Sequence, residues 1–294
     1  MSEAVQVLPS ARFNRQATGC GIVSAVADSD WLSRVTPPRR TAFRALRQVS
    51  IACRTTANAF DRLASGLLTA ADLRAAQQEE WRDFNATADR VAAGLMAWET
   101  RWYDACLKPG ERVLLVGCGA GRDLIALAAR GLRVDGLEPV PELAAAARRH
   151  AAAHGVAATI MTGAVENVDV SGYDAYVFSY FCYTYVRGTD ARVAMLRSIR
   201  RASPTARALI SAPSGERVNP LGTRLLRAAN AIGRVDWRAE FGDVFGLDER
   251  AGFPRYSHAF DLPSLERELR AGGFRIARRV DDPELLLVEA QALG

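Results

Sequence analysis

The sequence predicts an α/β fold: a mostly parallel, seven-stranded sheet with helices on both faces, a terminal antiparallel hairpin and a helical N-terminal extension. Three observations carry this. Short apolar runs alternate with helical patterns from Arg112 onwards, which implies right-handed βαβ crossovers and a parallel sheet covered on both faces. The first run ends in Gly117-Cys118-Gly119-Ala120-Gly121, a bend suited to bare backbone. The last two runs are joined by Asp281-Asp282-Pro283, a turn and not a crossover.

Residues 1–105 read as a helical extension or cap. Pro37-Pro38 breaks the chain, and Thr41 to Leu68 carries apolar residues at helical spacing. Ala70 to Tyr103 reads as one long helix or a pair, with Leu73, Trp81, Phe84, Val91, Leu95 and Trp98 mostly at helical steps. Pro109-Gly110 ends this region. Residues 106–294 read as the sheet domain. Strands over Arg112–Val116, Leu132–Leu137, Ala157–Met161, Tyr173–Ser179 and Arg207–Ala212 alternate with helices over Asp123–Arg130, Pro141–His154 and Asp190–Arg201. The stretch 213–258, rich in Gly, Asn, Asp and aromatics, is long for a connection and reads as a substrate-side insertion. A helix over Leu262–Ala271 stops at Gly272-Gly273, and strands over Phe274–Val280 and Leu285–Ala290 close the sheet.

Composition narrows the function classes. A chain of 294 residues with 49% hydrophobic and 24% charged residues is ordinary for a globular protein. The net charge of +5 is borne almost wholly by arginine, Lys108 being the only lysine. The arginines are interleaved with acids, as in Arg234 to Glu240, whereas a nucleic-acid groove favours a clustered basic stripe; nucleic acid is not the favoured partner. Cysteines 20, 53, 106, 118 and 182 form no CxxC pair, so neither a disulfide framework nor a metal site is expected, and a reducing cytoplasm is. Met1 to Asn14 lack a basic start followed by an apolar run. No apolar stretch approaches the roughly 20 residues of a membrane span, so no membrane partner is expected. A homodimer is left open.

The chemistry centres on Val113-Leu-Leu-Val-Gly117-Cys118-Gly119-Ala120-Gly121-Arg122-Asp123. Glycines let the strand turn sharply into a helix and bring backbone N–H groups against a ligand. An acid, Glu138, ends the next strand 21 residues after Gly117, where a carboxylate can accept from both hydroxyls of a ribose. A dinucleotide fingerprint needs its third glycine at position 122, where Arg122 stands, and a P-loop needs a Gly-Lys-Ser/Thr that is absent.

This GxGxG spacing resembles motif I of the class I S-adenosylmethionine (SAM)-dependent methyltransferases, whose fold is Rossmann-like. Glu138 matches that family's ribose-binding acid. The resemblance runs from about Trp102 to the C-terminus. Leu107-Lys108-Pro109-Gly110 is similar to the family's lead-in to its first strand, and Gly163-Ala164-Val165-Glu166-Asn167 to its adenine-binding loop. Tyr173-Asp174 matches the opening of its fourth strand, and Phe274 the position after its double glycine. The run through Arg122-Asp123 is also similar to small-molecule methyltransferases. The family often has Asp where Ala164 stands, so the adenine amino group would be met by Glu166 or a carbonyl, while the Val165 N–H meets the ring.

The resemblance implies SAM as cofactor and Gly117, Cys118, Gly119, Gly121, Asp123, Glu138, Pro139, Ala164, Val165 and Glu166 around it. Ser179 and Tyr180, at the edge of the fourth strand, and Tyr103, before the first, are further candidate neighbours of the cofactor. Tyr183, in an aromatic run after that strand, and His258, before a late helix, are the candidate catalytic residues; His258 is the candidate base. His150 and His154 share a helical face, but without the glutamate of HExxH they read as structural. The function implied is methyl transfer to an O, N or S atom of a small-molecule acceptor. Its rivals are an RNA or protein methyltransferase and a non-catalytic SAM-binding regulatory protein.

Overall fold

The computed structural model describes residues 36–82, 88–214, 220–247 and 254–293; the expectations for Met1–Asn14 and Phe84, and for the Glu166 side chain, lie outside the described residues. The chain begins with α1 (Pro37–Gly66), α2 (Ala70–Arg82), α3 (Ala88–Ala92) and α4 (Ala97–Cys106). The expected long helix or pair over Ala70 to Tyr103 is, among the described residues, seen as α2, α3 and α4. Gly94, at φ +67°, turns the chain after α3, and Glu99 accepts from the Met96 N–H to start α4.

Then follow β1 (Arg112–Val116), α5 (Arg122–Ala128), β2 (Arg133–Glu138), α6 (Pro141–Ala153), β3 (Ile160–Thr162), β4 (Ala175–Phe178), α7 (Thr189–Ala202) and β5 (Arg207–Pro213). The insertion holds α8 (Pro220–Gly233) and an antiparallel pair, β6 (Asp243–Leu247) and β7 (Pro254–His258). The chain ends with α9 (Leu262–Ala271), β8 (Phe274–Val280) and β9 (Leu285–Ala292).

One sheet has the order β3-β2-β1-β4-β5-β9-β8, parallel except for β9, which pairs antiparallel with both β5 and β8. Period-two alternation splits β1 between two cores. Leu114 packs with Tyr176, Phe178, Leu196, Ile199 and Leu269 beneath α7 and α9. Val113 and Leu115 pack with Leu124, Leu127, Ala144, Ala147 and Trp102 beneath α4, α5 and α6. Burial on both faces explains why β1 reads as an unbroken apolar run.

The insertion does not stand alone. Leu73 of α2, Leu226 of α8, Phe245 of β6 and Tyr256 of β7 share a small core with Leu68 and Trp237. Gly66 sits where α1 crosses α8; a Cβ there would stand 2.6 Å from the Ala229 Cβ. Asn230 donates to the Gly66 carbonyl (2.9 Å) and accepts from the Ala239 N–H (2.9 Å), and the Trp237 indole donates to the Leu68 carbonyl (2.8 Å). α1, α2 and the insertion are thus one cap, built from segments about 160 residues apart in sequence.

Candidate functional site

The bend after β1 is shaped by Gly117, Gly119 and Gly121, at φ +74°, +55° and +92°, the left-handed region that disfavours a side chain. A Cβ on Gly117 would lie 2.3 Å from Cys182 Sγ, and one on Gly121 would press on Ala147. At Gly119 nothing lies within 4 Å of that position, so the hollow above the middle glycine is open. Glu138, buried at the end of β2, accepts from the Gly119 N–H (2.8 Å) and the Val140 N–H (3.0 Å). Burial pushes its carboxyl upward, while the two amides oppose that. Open space beside bare glycine backbone, with a carboxylate on the adjacent strand, fits a nucleoside bearing a charged tail. Pro139 is exposed beside Glu138.

A buried polar cluster adjoins the bend. Asp123, in the first turn of α5, accepts from the Tyr103 hydroxyl (2.8 Å), the Ser179 hydroxyl (2.6 Å) and Arg122 Nε (2.7 Å). Arg122 also pairs with Glu99 of α4, and its guanidinium lies 5.7 Å from the centre of the Tyr180 ring. Burial, then repulsion from Asp123, raises the Glu99 carboxyl to about 7, with Arg122 opposing. Burial holds the Tyr103 phenol well above its ordinary value, so Tyr103 serves as a donor. Tyr180 and Phe181 both adopt left-handed backbone (φ 44° and 65°), a strained turn for bulky residues at the edge of the sheet where ligands bind this fold class. Phe181 stacks on Trp98 (5.5 Å between ring centres), and the Phe181 N–H donates to Ser211 (3.1 Å). The aromatics Trp98, Trp102 and Tyr103 thus join α4 to the sheet.

Among the sequence-identified residues, Gly117, Cys118, Gly119, Gly121, Asp123, Glu138, Ser179 and Tyr103 come together here, with Tyr180 beside Arg122. The loop Gly163-Ala164-Val165 follows β3, the next strand over, and Gly163 donates its N–H to the Glu138 carbonyl (3.1 Å). The Val165 side chain is buried in the core. The burial of Cys118 pushes its thiol upward, away from nucleophilic character. Glu99, overlooked in the sequence, was signalled there only by its helix-start position.

The two candidate catalytic residues are bonded to other partners than this cluster. Tyr183 is fully buried and donates to Glu268 (2.5 Å), between Phe178 and Phe260; its place is in the core and not at the bend. Burial and the Glu268 carboxylate raise its phenol well above the usual range, so it is a structural donor, which corrects the catalytic expectation. His258, at the end of β7, is buried, and its Nδ1 lies 2.8 Å from Asp243 Oδ1, which also accepts from the Tyr256 hydroxyl (2.9 Å). Asp243 faces His258 across the β6–β7 register, a pairing that sequence spacing did not reveal. Nearby, Glu240 accepts from Thr189 N (2.8 Å) and from Arg192 (3.2 Å), and the fully buried Arg192 grips Glu268 through two nitrogens (2.8 and 2.9 Å). Glu240, Asp243 and His258 offer ligand atoms within 4.8 Å of one another, but these oxygens already accept protein donors, so the group reads as a hydrogen-bond network. His150 Nδ1 contacts the Ala120 carbonyl (2.9 Å) and His154 Nδ1 the His150 carbonyl (2.8 Å).

Residues 113–204 match the family model for a methyltransferase domain. That segment is thus a methyltransferase domain. Among solved structures it is similar to a SAM-dependent methyltransferase from Methanosarcina mazei, at 18% identity and a TM-score of 0.53, over 68% of this chain and 99% of that one. It is also similar to a methyltransferase from Clostridium acetobutylicum, at 11% identity and a TM-score of 0.48, over 67% and 89% of the chains. The 1,6-didemethyltoxoflavin-N1-methyltransferase of Burkholderia thailandensis is a further neighbour, at 20% identity and a TM-score of 0.46, over 66% and 76%. No curated protein matches by sequence. The matched segment runs from β1 through α7, and the cap lies outside it.

Proposed function

We propose that this methyltransferase domain transfers a methyl group from SAM to an O, N or S atom of a small-molecule acceptor held between the sheet edge and the cap. One observation carries the reading: the cap has its own core and is fastened to the sheet domain by Thr189 and Arg192 on Glu240. A fastened roof suits a pocket of modest size better than a groove for a polymer.

SAM supplies an electrophilic methyl on a sulfonium whose leaving group departs neutral, so no acid is needed. In this reading the Gly117–Gly121 bend and Glu138 hold the nucleoside end. Asp123, tied to Tyr103 and Ser179, presents negative charge beside the bend, and the aromatics around Tyr180 and Phe181 exclude water. The Ala164–Glu166 loop flanks the adenine. His258 is the base for an acceptor that must lose a proton. With Nδ1–H donated to Asp243, its Nε2 is the basic atom.

The test measures S-adenosylhomocysteine release from the purified protein, offered panels of small phenols, amines and thiols alongside RNA and peptide pools. Turnover on a small molecule is expected. For an acceptor with a protonated nucleophile, His258→Ala should lower kcat by about 100-fold or more while leaving SAM affinity within about twofold. Turnover on RNA or peptide alone, or SAM binding without release from any acceptor, would overturn the proposal.

A further inference from the structure

Arg187 carries a half-buried charge that no carboxylate of the described residues matches. It follows the strained turn of Tyr180 and Phe181 at the edge of β4 and reaches into the seam between sheet domain and cap. Its guanidinium lies 5.4 Å from the centres of both the Trp237 and Tyr256 rings, and Nη1 donates to the Ala70 carbonyl over a long 3.5 Å. Aromatic rings draw a cation but offer its N–H groups no acceptor oxygen. Nε is buried and meets no acceptor, and among the described residues none meets Nη2. Burial also pulls the guanidinium below its ordinary value.

A neighbour shows what these two nitrogens do when an acid is at hand. Arg192, on the following helix α7, uses its Nε and Nη2 to grip both oxygens of Glu268 (2.8 and 2.9 Å). Arg187 holds the same planar fork without that partner. The acids that attract it from beyond ion-pair distance are already engaged. Asp243 accepts from the Tyr256 hydroxyl and lies on His258 Nδ1, and Asp236 accepts from the Ala70 N–H (2.7 Å). Position points to the occupant. Tyr256 and His258 alternate onto one face of β7 and share Asp243, so the fork stands beside the network of the proposed base. Charge points to its class: one guanidinium offsets the single charge of a carboxylate, whereas a doubly charged phosphate would stay uncompensated at a half-buried position.

We propose that the methyl acceptor is a carboxylic acid whose carboxylate is held in the Nε–Nη2 fork of Arg187, while a separate O, N or S atom of the same molecule takes the methyl. The inference rests on the small-molecule reading given above and names the class of that acceptor. The carboxylate is an anchor and is not itself methylated, so the product keeps its negative charge. Arg187 is thereby a specificity residue: a neutral analogue leaves its buried N–H groups unmatched, and that difference rejects it.

The direct test titrates the full chain, saturated with S-adenosylhomocysteine, with benzoate, benzamide and phenyl phosphate. Nuclear magnetic resonance follows the Arg187 Nε–H signal, identified by its loss in Arg187→Gln. Benzoate is expected to move that signal and to bind at least about tenfold more tightly than benzamide. Arg187→Gln should erase the difference, and Arg187→Lys, which keeps the charge without the fork, should restore only part of it. In turnover, hydroxybenzoates and aminobenzoates should exceed their carboxamides by about 30-fold in kcat/KM, a ratio that Arg187→Gln reduces to about threefold or less. Both variants should keep SAM affinity, a check that they fold. A signal unmoved by benzoate, preference for phenyl phosphate, equal turnover of acids and amides, or a methyl ester product would each overturn this inference and leave small-molecule transfer standing. Turnover on RNA or peptide alone would overturn both, whatever benzoate does.

Discussion

The cofactor edge and the cap both bury polar groups, with different materials. At the edge, the carboxylate of Glu138 is met by two backbone amides two and nineteen residues away. At the seam between cap and sheet, Arg192, Glu240 and Glu268 satisfy one another across elements 48 and 76 residues apart. Backbone partners come with the bend itself, so the edge depends on glycine conformation. The seam depends on side chains arriving in register. The first arrangement suits a fixed ligand shared by a fold class, and the second can vary with the acceptor.

Removing a seam partner tests that contrast most severely. Arg192→Met would leave the buried Glu268 carboxylate with only Tyr183, and should destabilise the protein by about 3–5 kcal/mol. Chemical denaturation measures this; a loss below about 1 kcal/mol would mean that the seam carries little. Next is Glu138→Ala, which removes an ionised acceptor at the edge. SAM affinity should fall about 100-fold by calorimetry. An unchanged affinity would end the assignment of this carboxylate to the ribose. Asn230→Ala acts within the cap alone: the Gly66 carbonyl and Ala239 N–H lose their bridge, at a cost of about 1–3 kcal/mol. Native-state hydrogen exchange should then show α1 and α8 opening while β1 and β4 stay protected.

The same contrast decides what was legible in the sequence. The bend, Glu138 and the strand order follow from local patterns, and α9 and β8 have the expected limits, as does β1. β3 is shorter than expected and shifted, because it is an edge strand paired on one side and its approach is fixed by Asp135 on the Thr159 N–H. The expected fourth strand ends before Ser179, since Tyr180 and Phe181 turn left-handed. The insertion was visible as a break in rhythm, but its helix and hairpin were not, and neither was its shared core with α2. Leu226 and Leu73 give no local sign of meeting. Asp243 and His258 come together through hairpin register, and Tyr183 reads as a pocket residue until Glu268 is seen beside it.

Glu99 offers the finest probe of the boundary between the two regions, because it is a side-chain acid buried against the backbone-built edge. Its carboxyl is raised to about 7 from an ordinary 4.5, chiefly by burial and then by Asp123, with Arg122 and the Met96 N–H opposing. A raised folded-state value means the folded protein holds a proton that the unfolded chain has released between those two pH values. This group's contribution is therefore fully present below about pH 4.5 and is lost as pH rises through about 7. Glu99→Gln cannot ionise, so the part of the stability slope between pH 5 and 7 that amounts to at most about one proton per molecule should vanish. Unfolding midpoints of the two proteins across that range provide the measurement. If the parent and the variant keep parallel slopes, Arg122 holds Glu99 ionised throughout, and the cluster beside the bend is a full ion-pair network like that of the seam.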